Sequence, residues 1–261
     1  LSVHRLPDQF SDQLPDQLPD PSPSPQAVVP QAVVPQVVAP QAFDHPIFSE
    51  SIALIRSALA QEPVDLLAPL SPLESDVLLR LIHSSGDLSL ANDLQFSPGA
   101  CEAGAAALAA GAVILTDTAM AAAAVAPMAR RTFANRVASV LDWAPAQPPA
   151  GSTRTAAGMA LALADLGQVR LGGTGVVVLI GSAPTALERL LELVAAGACP
   201  SPALVVGMPV GFVGVEQSKR HLGASGLVHL GLGGSKGGAG LVAAACNALL
   251  RHGFLAAAEQ A

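Results

Sequence analysis

From about residue 43 onward, two patterns of apolar positions alternate along the chain. Between Pro46 and Ala60 they recur at helical spacing, through Ile47, Phe48, Ile52, Leu54, Ile55 and Leu59. Ser71-Pro72-Leu73-Glu74 places a capping serine, a proline at the first helical position and a glutamate at the third. This capping box predicts a helix through Val77, Leu78, Leu79 and Leu81 toward His83. Ser97-Pro98 repeats the device and predicts the head of an Ala-rich helix ending near Gly111. Further helix-length segments run from Thr153 to Leu166, Pro184 to Ala196, Val215 to Leu222 and Gly237 to Arg251.

Between the helices lie short aliphatic runs without polar alternation: Ala112 to Leu115, Val137 to Leu141, Gly175 to Ile180, Ala203 to Val206 and Leu227 to Leu230. Such runs suit strands covered on both faces. The alternation predicts an α/β fold, a doubly wound, mostly parallel sheet of about five strands with helices on both faces. In such a sheet the loops after the strands hold the ligand.

Residues 1–42 carry neither pattern. DQFSDQLPDQLPD runs from Asp8 to Asp20, and a five-residue unit repeats from Pro25 to Gln41. Proline at that spacing forbids helix and central strand, so residues 1–42 are expected to form a disordered, partly polyproline-II tail. The tail is either a linker or docking arm, or an inert extension. A single domain is expected over residues 43–255.

The chain is 51% hydrophobic and only 13% charged, enough apolar material for a large core of Ala, Leu and Val. Thirteen Lys and Arg against 20 Asp and Glu give a net charge of -7, which argues against a nucleic-acid partner. The stretch from Ala103 to Met128 is apolar but is interrupted by Thr116-Asp117-Thr118, so a buried helix followed by a buried strand is expected there and no membrane span. With no export pattern, cytoplasmic residence is expected. Cys101, Cys199 and Cys246 are odd in number and widely spaced, as buried thiols in a reducing compartment are; no disulfide framework and no metal site is readable.

Most histidines are placed without promise for chemistry. His4 lies in the tail, His45 at the domain entry, His252 near the end, His229 inside an apolar strand, and His221 with Arg220 at the close of a short helix. His83 differs, because the polar turn Ser84-Ser85-Gly86-Asp87 follows it and Arg80 lies three residues upstream on the same helix face. A neighbouring cation lowers an imidazole pKa and suits it to proton transfer. The alternative is a helix-end imidazolium against its own carbonyls.

The loops after the strands read as anion sites. Gly181-Ser182-Ala183-Pro184-Thr185 opens a helix, with N–H groups expected to be available there. Gly207-Met208-Pro209-Val210-Gly211-Phe212 leads into Gln217-Ser218-Lys219, and GLGGSKGGAG runs from Gly231 to Gly240. The chain's two lysines, Lys219 and Lys236, both fall in these regions, which favours a multiply anionic ligand. The last loop matches neither a complete dinucleotide fingerprint nor a Walker pattern, leaving a carboxylate or phosphate cradle, or a flexible turn.

Several of these segments together resemble the precorrin-8X (cobalt-precorrin-8) methylmutase family. They are Asp44-His45-Pro46-Ile47 with Ser51, Arg80-Leu81-Ile82-His83, Leu94 to Pro98, Thr153-Arg154, Gly181 to Leu187, Gly207 to Gly214, and Gly237-Gly238 with Asn247-Ala248-Leu249, in the family's order. The chain departs from the family's usual asparagine at Ser182 and Ser152, and from an arginine-bearing loop at Gly233 to Ala239.

The resemblance implies a cofactor-independent isomerase of cobalamin biosynthesis. It moves a methyl group between adjacent ring C carbons of precorrin-8X or cobalt-precorrin-8, giving hydrogenobyrinate or cobyrinate. It implies His83 as the catalytic acid and Ser51, Arg80 and Arg154 as substrate-binding residues, and it implies a homodimer. Ser182, Thr185, Lys219 and Lys236 join the expected binding set for an anionic tetrapyrrole. A non-catalytic corrinoid- or tetrapyrrole-binding protein is the alternative.

Overall fold

Local chemistry sets where each helix begins. In the computed structural model, which describes residues 43–168 and 175–259, α1 (Pro46–Leu59) starts on His45, whose Nδ1 accepts from the Ile47 N–H at 3.2 Å. Helix α2 (Pro72–Ser85) has the predicted capping box: Ser71 Oγ accepts from the Glu74 N–H at 3.2 Å, and Glu74 Oε2 from the Ser71 N–H at 2.8 Å. It stops at Gly86, in the left-handed region at φ 71°. The predicted tail and His4 lie outside the described residues.

A short helix α3 (Leu90–Asp93) and strand β1 (Leu94–Phe96) come next, followed by α4 (Ala100–Ala109), β2 (Val113–Thr116), α5 (Ala119–Arg131) and β3 (Val137–Ser139). After a 3₁₀ turn at Val140–Asp142 come α6 (Arg154–Gln168), β4 (Val176–Ile180), α7 (Pro184–Ala195), β5 (Leu204–Gly207), α8 (Val215–Ala224), β6 (His229–Leu232) and α9 (Ala239–Glu259).

Six described strands form one sheet in the order β1-β6-β5-β4-β2-β3. Five run parallel, and β1 pairs antiparallel to β6, with Gln95 opposite Gly231. The edge strand β1 is an addition to the predicted sheet. Its three residues are half-buried or exposed, too short a run to show a strand pattern.

Other differences have equally local causes. The expected Val137 to Leu141 strand closes after Ser139, because Ser139 and Asp142 form a second capping box that turns the chain. The region Ala103 to Met128 is helix, strand and helix, with Thr118 Oγ1 capping α5 through the Ala121 N–H. Ser97 does not cap α4. Its hydroxyl accepts from the His229 N–H at 2.8 Å, and α4 starts after Gly99.

Two cores sandwich the sheet. Residues of α2, α4, α5 and α9 pack on one face, and residues of α6, α7 and α8 on the other. Strand side chains such as Leu179 and Ile180 are wholly buried, and each contributes about 1.5–3 kcal/mol. Helix α9 has the length and composition of a membrane span, but 44% of its most apolar window is buried, and its packing on α2, α4 and α5 accounts for that character. At the domain entry, Phe43 stacks on Phe254 at 5.5 Å and Arg251 pairs with Asp44.

The parallel strands β3-β2-β4-β5-β6 reverse their order of addition between β2 and β4. That switch point opens a crevice at the carboxyl edge of the sheet.

Candidate active site

Packing of α1 on α2 sets two i, i+3 pairs against each other: Phe48 and Ser51 on α1, Arg80 and His83 on α2. Ser51 Oγ lies 2.7 Å from His83 Nδ1. The Phe48 ring meets the imidazole edge-on, with centroids 5.1 Å apart and planes at 84°. The Arg80 guanidinium sits 4.6 Å above the same ring. One phenyl ring therefore contacts both cation and imidazole, and the imidazole has one nitrogen held by a hydroxyl.

Burial, and secondarily the Arg80 charge, holds the His83 pKa below the ordinary imidazole value. The predicted direction is right, but desolvation is the larger cause. Arg80 lines a recess of about 210 Å³ with Asp44, Phe48, Asp76 and Arg251. Both acids there already serve Arg251: Asp44 accepts from its Nε at 2.8 Å, and Asp76 lies 3.7 Å from Nη1. Burial and the nearby Arg251 lower the Arg80 pKa from its usual value. An anion entering the recess would oppose both effects through its charge.

At the carboxyl edge, the N-terminal ends of α6, α7 and α8 surround a cavity of about 850 Å³ lined by Ser152, Thr153, Thr185, Glu188, Gln217 and His221, among others. That is within the range of about 300–1,000 Å³ usual for small-molecule sites. Thr153 Oγ1 lies 2.8 Å from Thr185 Oγ1 and also accepts from the Ala156 N–H at 3.2 Å, joining the starts of α6 and α7. Arg154 donates from Nε to the Pro145 carbonyl at 3.1 Å. His221, read from sequence as a helix-end cation, has Nδ1 2.9 Å from both Glu188 carboxylate oxygens.

The loops after β4, β5 and β6 are bound to one another. The Val210 N–H donates to the Gly181 carbonyl at 3.1 Å, Gly238 to Met208 at 3.0 Å, and Gly211 to Ser235 at 3.0 Å. A side chain at Gly237 would come 2.0 Å from the Met208 carbonyl oxygen, and one at Gly181 would come 2.6 Å from the Gly238 backbone, so only glycine permits these approaches.

A model of the precorrin-8X methylmutase family matches residues 46–252. The chain belongs to that family. Over 210 residues it is 43% identical to the precorrin-8X methylmutase of Pseudomonas aeruginosa, covering 78% of this chain and 93% of that protein. The cobalt-precorrin-8 methylmutase of Synechocystis sp. is 33% identical, with 79% of this chain and 95% of that protein covered. The crystal structure of the Thermus thermophilus precorrin-8X methylmutase superposes with a TM-score of 0.66 at 36% identity, covering 80% of this chain and 95% of that one. The chain is thus a methyl-shifting isomerase, an intramolecular transferase of cobalamin biosynthesis.

In this methylmutase the expected site residues fall into three groups. Ser51, Arg80 and His83 meet at the α1–α2 contact. Thr185 lines the large cavity, with Ser182 in the turn before it and Arg154 at the start of α6. Lys219 and Lys236 brace the last loop: Lys219 Nζ donates to the Gly234 and Lys236 carbonyls at 2.8 and 2.6 Å, while Lys236 Nζ contacts Ser89 and lies 3.3 Å from Asp87 and 3.1 Å from Asp93. Burial lowers the Lys219 pKa to about 8, and the Asp93 contact, with support from Asp87, raises that of Lys236.

Sequence reasoning missed Phe48 and the Asp87–Lys236 contact, which ties the turn after His83 to the loop after β6. The signals were present, since Phe48 and Ser51 have the same three-residue spacing as Arg80 and His83. The methylmutase's turn Gly181–Thr185 also differs from expectation. Its Ser182 and Ala183 N–H groups already donate to Asp117 Oδ2, and Pro184 has no N–H.

Proposed function

We propose that this methylmutase acts on precorrin-8X or cobalt-precorrin-8, with His83 as the general acid that sets off methyl migration between neighbouring ring C carbons. The observation carrying this reading is the 2.7 Å contact between Ser51 and His83 beside the recess lined by Arg80. A Ser51 hydroxyl donating to Nδ1 leaves the proton of neutral His83 on Nε2. The same hydroxyl accepts from Nδ1 when the ring is an imidazolium, so one partner orients the acid in both states. An isomerisation has no net proton, so the proton lent to the macrocycle returns to the imidazole once the methyl group has moved. Because the methyl carries its bonding electrons with it, the step calls for no nucleophile, only a proton and a shaped enclosure.

The macrocycle's carboxylates supply the anionic character that Arg80 and Arg154 would meet by charge-assisted hydrogen bonds. Thr185 offers a hydroxyl at the large cavity, with Ser182 in the turn before it, and Lys219 and Lys236 contribute by bracing the loop after β6. A homodimer belongs to this reading: α1 exposes Ile47 and Leu54 on the side that carries Ser51, and the loop after β5 exposes Phe212 and Val213. Apolar side chains grouped this way suit a subunit contact.

The test is single-turnover conversion of precorrin-8X followed by visible absorption. Wild-type protein should give the product spectrum. His83→Ala should bind tetrapyrrole yet turn over about 10²- to 10⁴-fold more slowly. A wild-type protein that only binds, with a static spectrum, would be a tetrapyrrole-binding protein, and a fully active His83→Ala would remove His83 from the mechanism.

A further inference from the structure

Asp117 follows β2 and is wholly buried at the switch point between β2 and β4. In the sequence it stands out only as a break in an apolar run. Its N–H donates to Leu179 at 3.0 Å, which extends the β2–β4 ladder by one residue. Its Oδ2 accepts from the N–H groups of Ser182 at 2.6 Å and Ala183 at 2.8 Å. Its Oδ1 is buried with no hydrogen-bond partner among the described residues. No lysine or arginine pairs with it among those residues.

A buried carboxylate without a cation is costly, and it persists only where fixed dipoles compensate it. Here they are the two N–H groups and the positive end of α7, whose first residue is Pro184. Burial pushes the Asp117 carboxyl up from its ordinary value, and the N–H bonds of Ser182 and Ala183 oppose that shift.

The geometry has a consequence for the ligand. The Ser182 and Ala183 N–H groups before α7 are already taken from inside the protein. What the Gly181–Thr185 turn presents to the large cavity is the Thr185 side chain, coupled to Thr153 at 2.8 Å. The same turn is also held at Gly181, whose carbonyl accepts from the Val210 N–H at 3.1 Å and whose backbone passes close to Gly238.

We propose that Asp117 is a positioning residue for the isomerisation: an internal carboxyl whose Oδ2 accepts from the turn before α7 and fixes it so that Thr185 faces the bound macrocycle. This rests on the reading that the large cavity receives the tetrapyrrole. Asp117 itself touches no reacting atom, so its loss should act on substrate binding and leave the proton-transfer step intact.

The experiment compares Asp117→Asn and Asp117→Ala with the wild type in the full chain. Fold is monitored by circular dichroism, binding by quenching of Trp143 fluorescence on addition of precorrin-8X, and turnover by visible absorption. Asp117→Asn retains an acceptor for the Ser182 and Ala183 N–H groups and should stay within about threefold of the wild-type KM, whereas Asp117→Ala should raise KM and Kd about 10- to 100-fold. In both, kcat and its pH dependence should keep their wild-type form. If Asp117→Ala does not fold, Asp117→Asn decides through hydrogen exchange: slow exchange at the Ser182 and Ala183 amides with near-wild-type KM upholds the proposal. A folded Asp117→Ala with wild-type KM overturns it. So does a folded Asp117→Asn that loses kcat while its KM stays put, which would mark a chemical role for the charge. Failure of the wild-type protein to bind or convert precorrin-8X would show instead that the functional reading is at fault.

Discussion

The α1–α2 contact and the loops after β4, β5 and β6 both gather cations and polar groups, but they use them differently. In the loops, Lys236 is held by Asp87 and Asp93, Lys219 by two carbonyls, and the first N–H groups of the turn before α7 by Asp117. Their polar groups are absorbed in shaping a surface. At the α1–α2 contact, Arg80 faces a recess whose acids are engaged by Arg251, and His83 has a hydroxyl on one nitrogen. Groups with their bonding capacity in reserve are where chemistry can take place, and clustering of charge alone does not reveal them.

The largest effect that would break this comparison is steric. Gly237→Ala would drive a methyl group against the Met208 carbonyl, and it should cost roughly 1–3 kcal/mol or more in thermal unfolding while abolishing tetrapyrrole binding. Gly240→Ala, at a helical position with no atom within 4 Å of an added side chain, is the matched control and should be neutral or stabilising. Equal melting temperatures for the two variants would show that the loops are not held by close backbone approach.

A mid-sized effect sharpens the other side. Ser51→Ala removes the orienting hydroxyl but not the imidazole, so kcat should fall about tenfold with KM nearly unchanged. A rise in KM alone would make Ser51 a substrate contact instead.

The smallest effect concerns Lys236. Because its charge is already matched by carboxylates, Lys236→Ala should change substrate affinity by less than about threefold and leave its salt dependence unaltered. A large loss of affinity with a shallower salt slope would transfer Lys236 to the binding set.

Much of this organisation was legible in the chain. The five parallel strands show as short aliphatic runs because both their faces are covered, and the Ser71 and Glu74 reciprocity marks the helix that carries His83. Edge strand β1 was not legible, since three residues at a sheet margin carry no period. Helix α5 was hidden in alanine, although Thr118 marks its start. Asp117 looked like an interruption because its meaning lies in the Ser182 and Ala183 N–H groups, some 65 residues away in sequence. The contacts of Lys236 were hidden for the same reason: its partners Asp87 and Asp93 belong to a distant segment.

The pH dependence of kcat/KM, which reports the groups of the free enzyme, measured in the wild type and in Arg80→Gln, tests the central claim most directly. If His83 must be protonated to act, kcat/KM is highest at low pH and falls as pH rises through the imidazole pKa. That pKa is held below the ordinary value of about 6.5, first by burial and then by Arg80. Replacing Arg80 by glutamine removes the second cause and retains the first. The descending limb should therefore move to higher pH while staying below the ordinary imidazole value. A limb that does not move, or a wild-type kcat/KM that rises with pH across this range, would contradict the assignment of His83 as the acid.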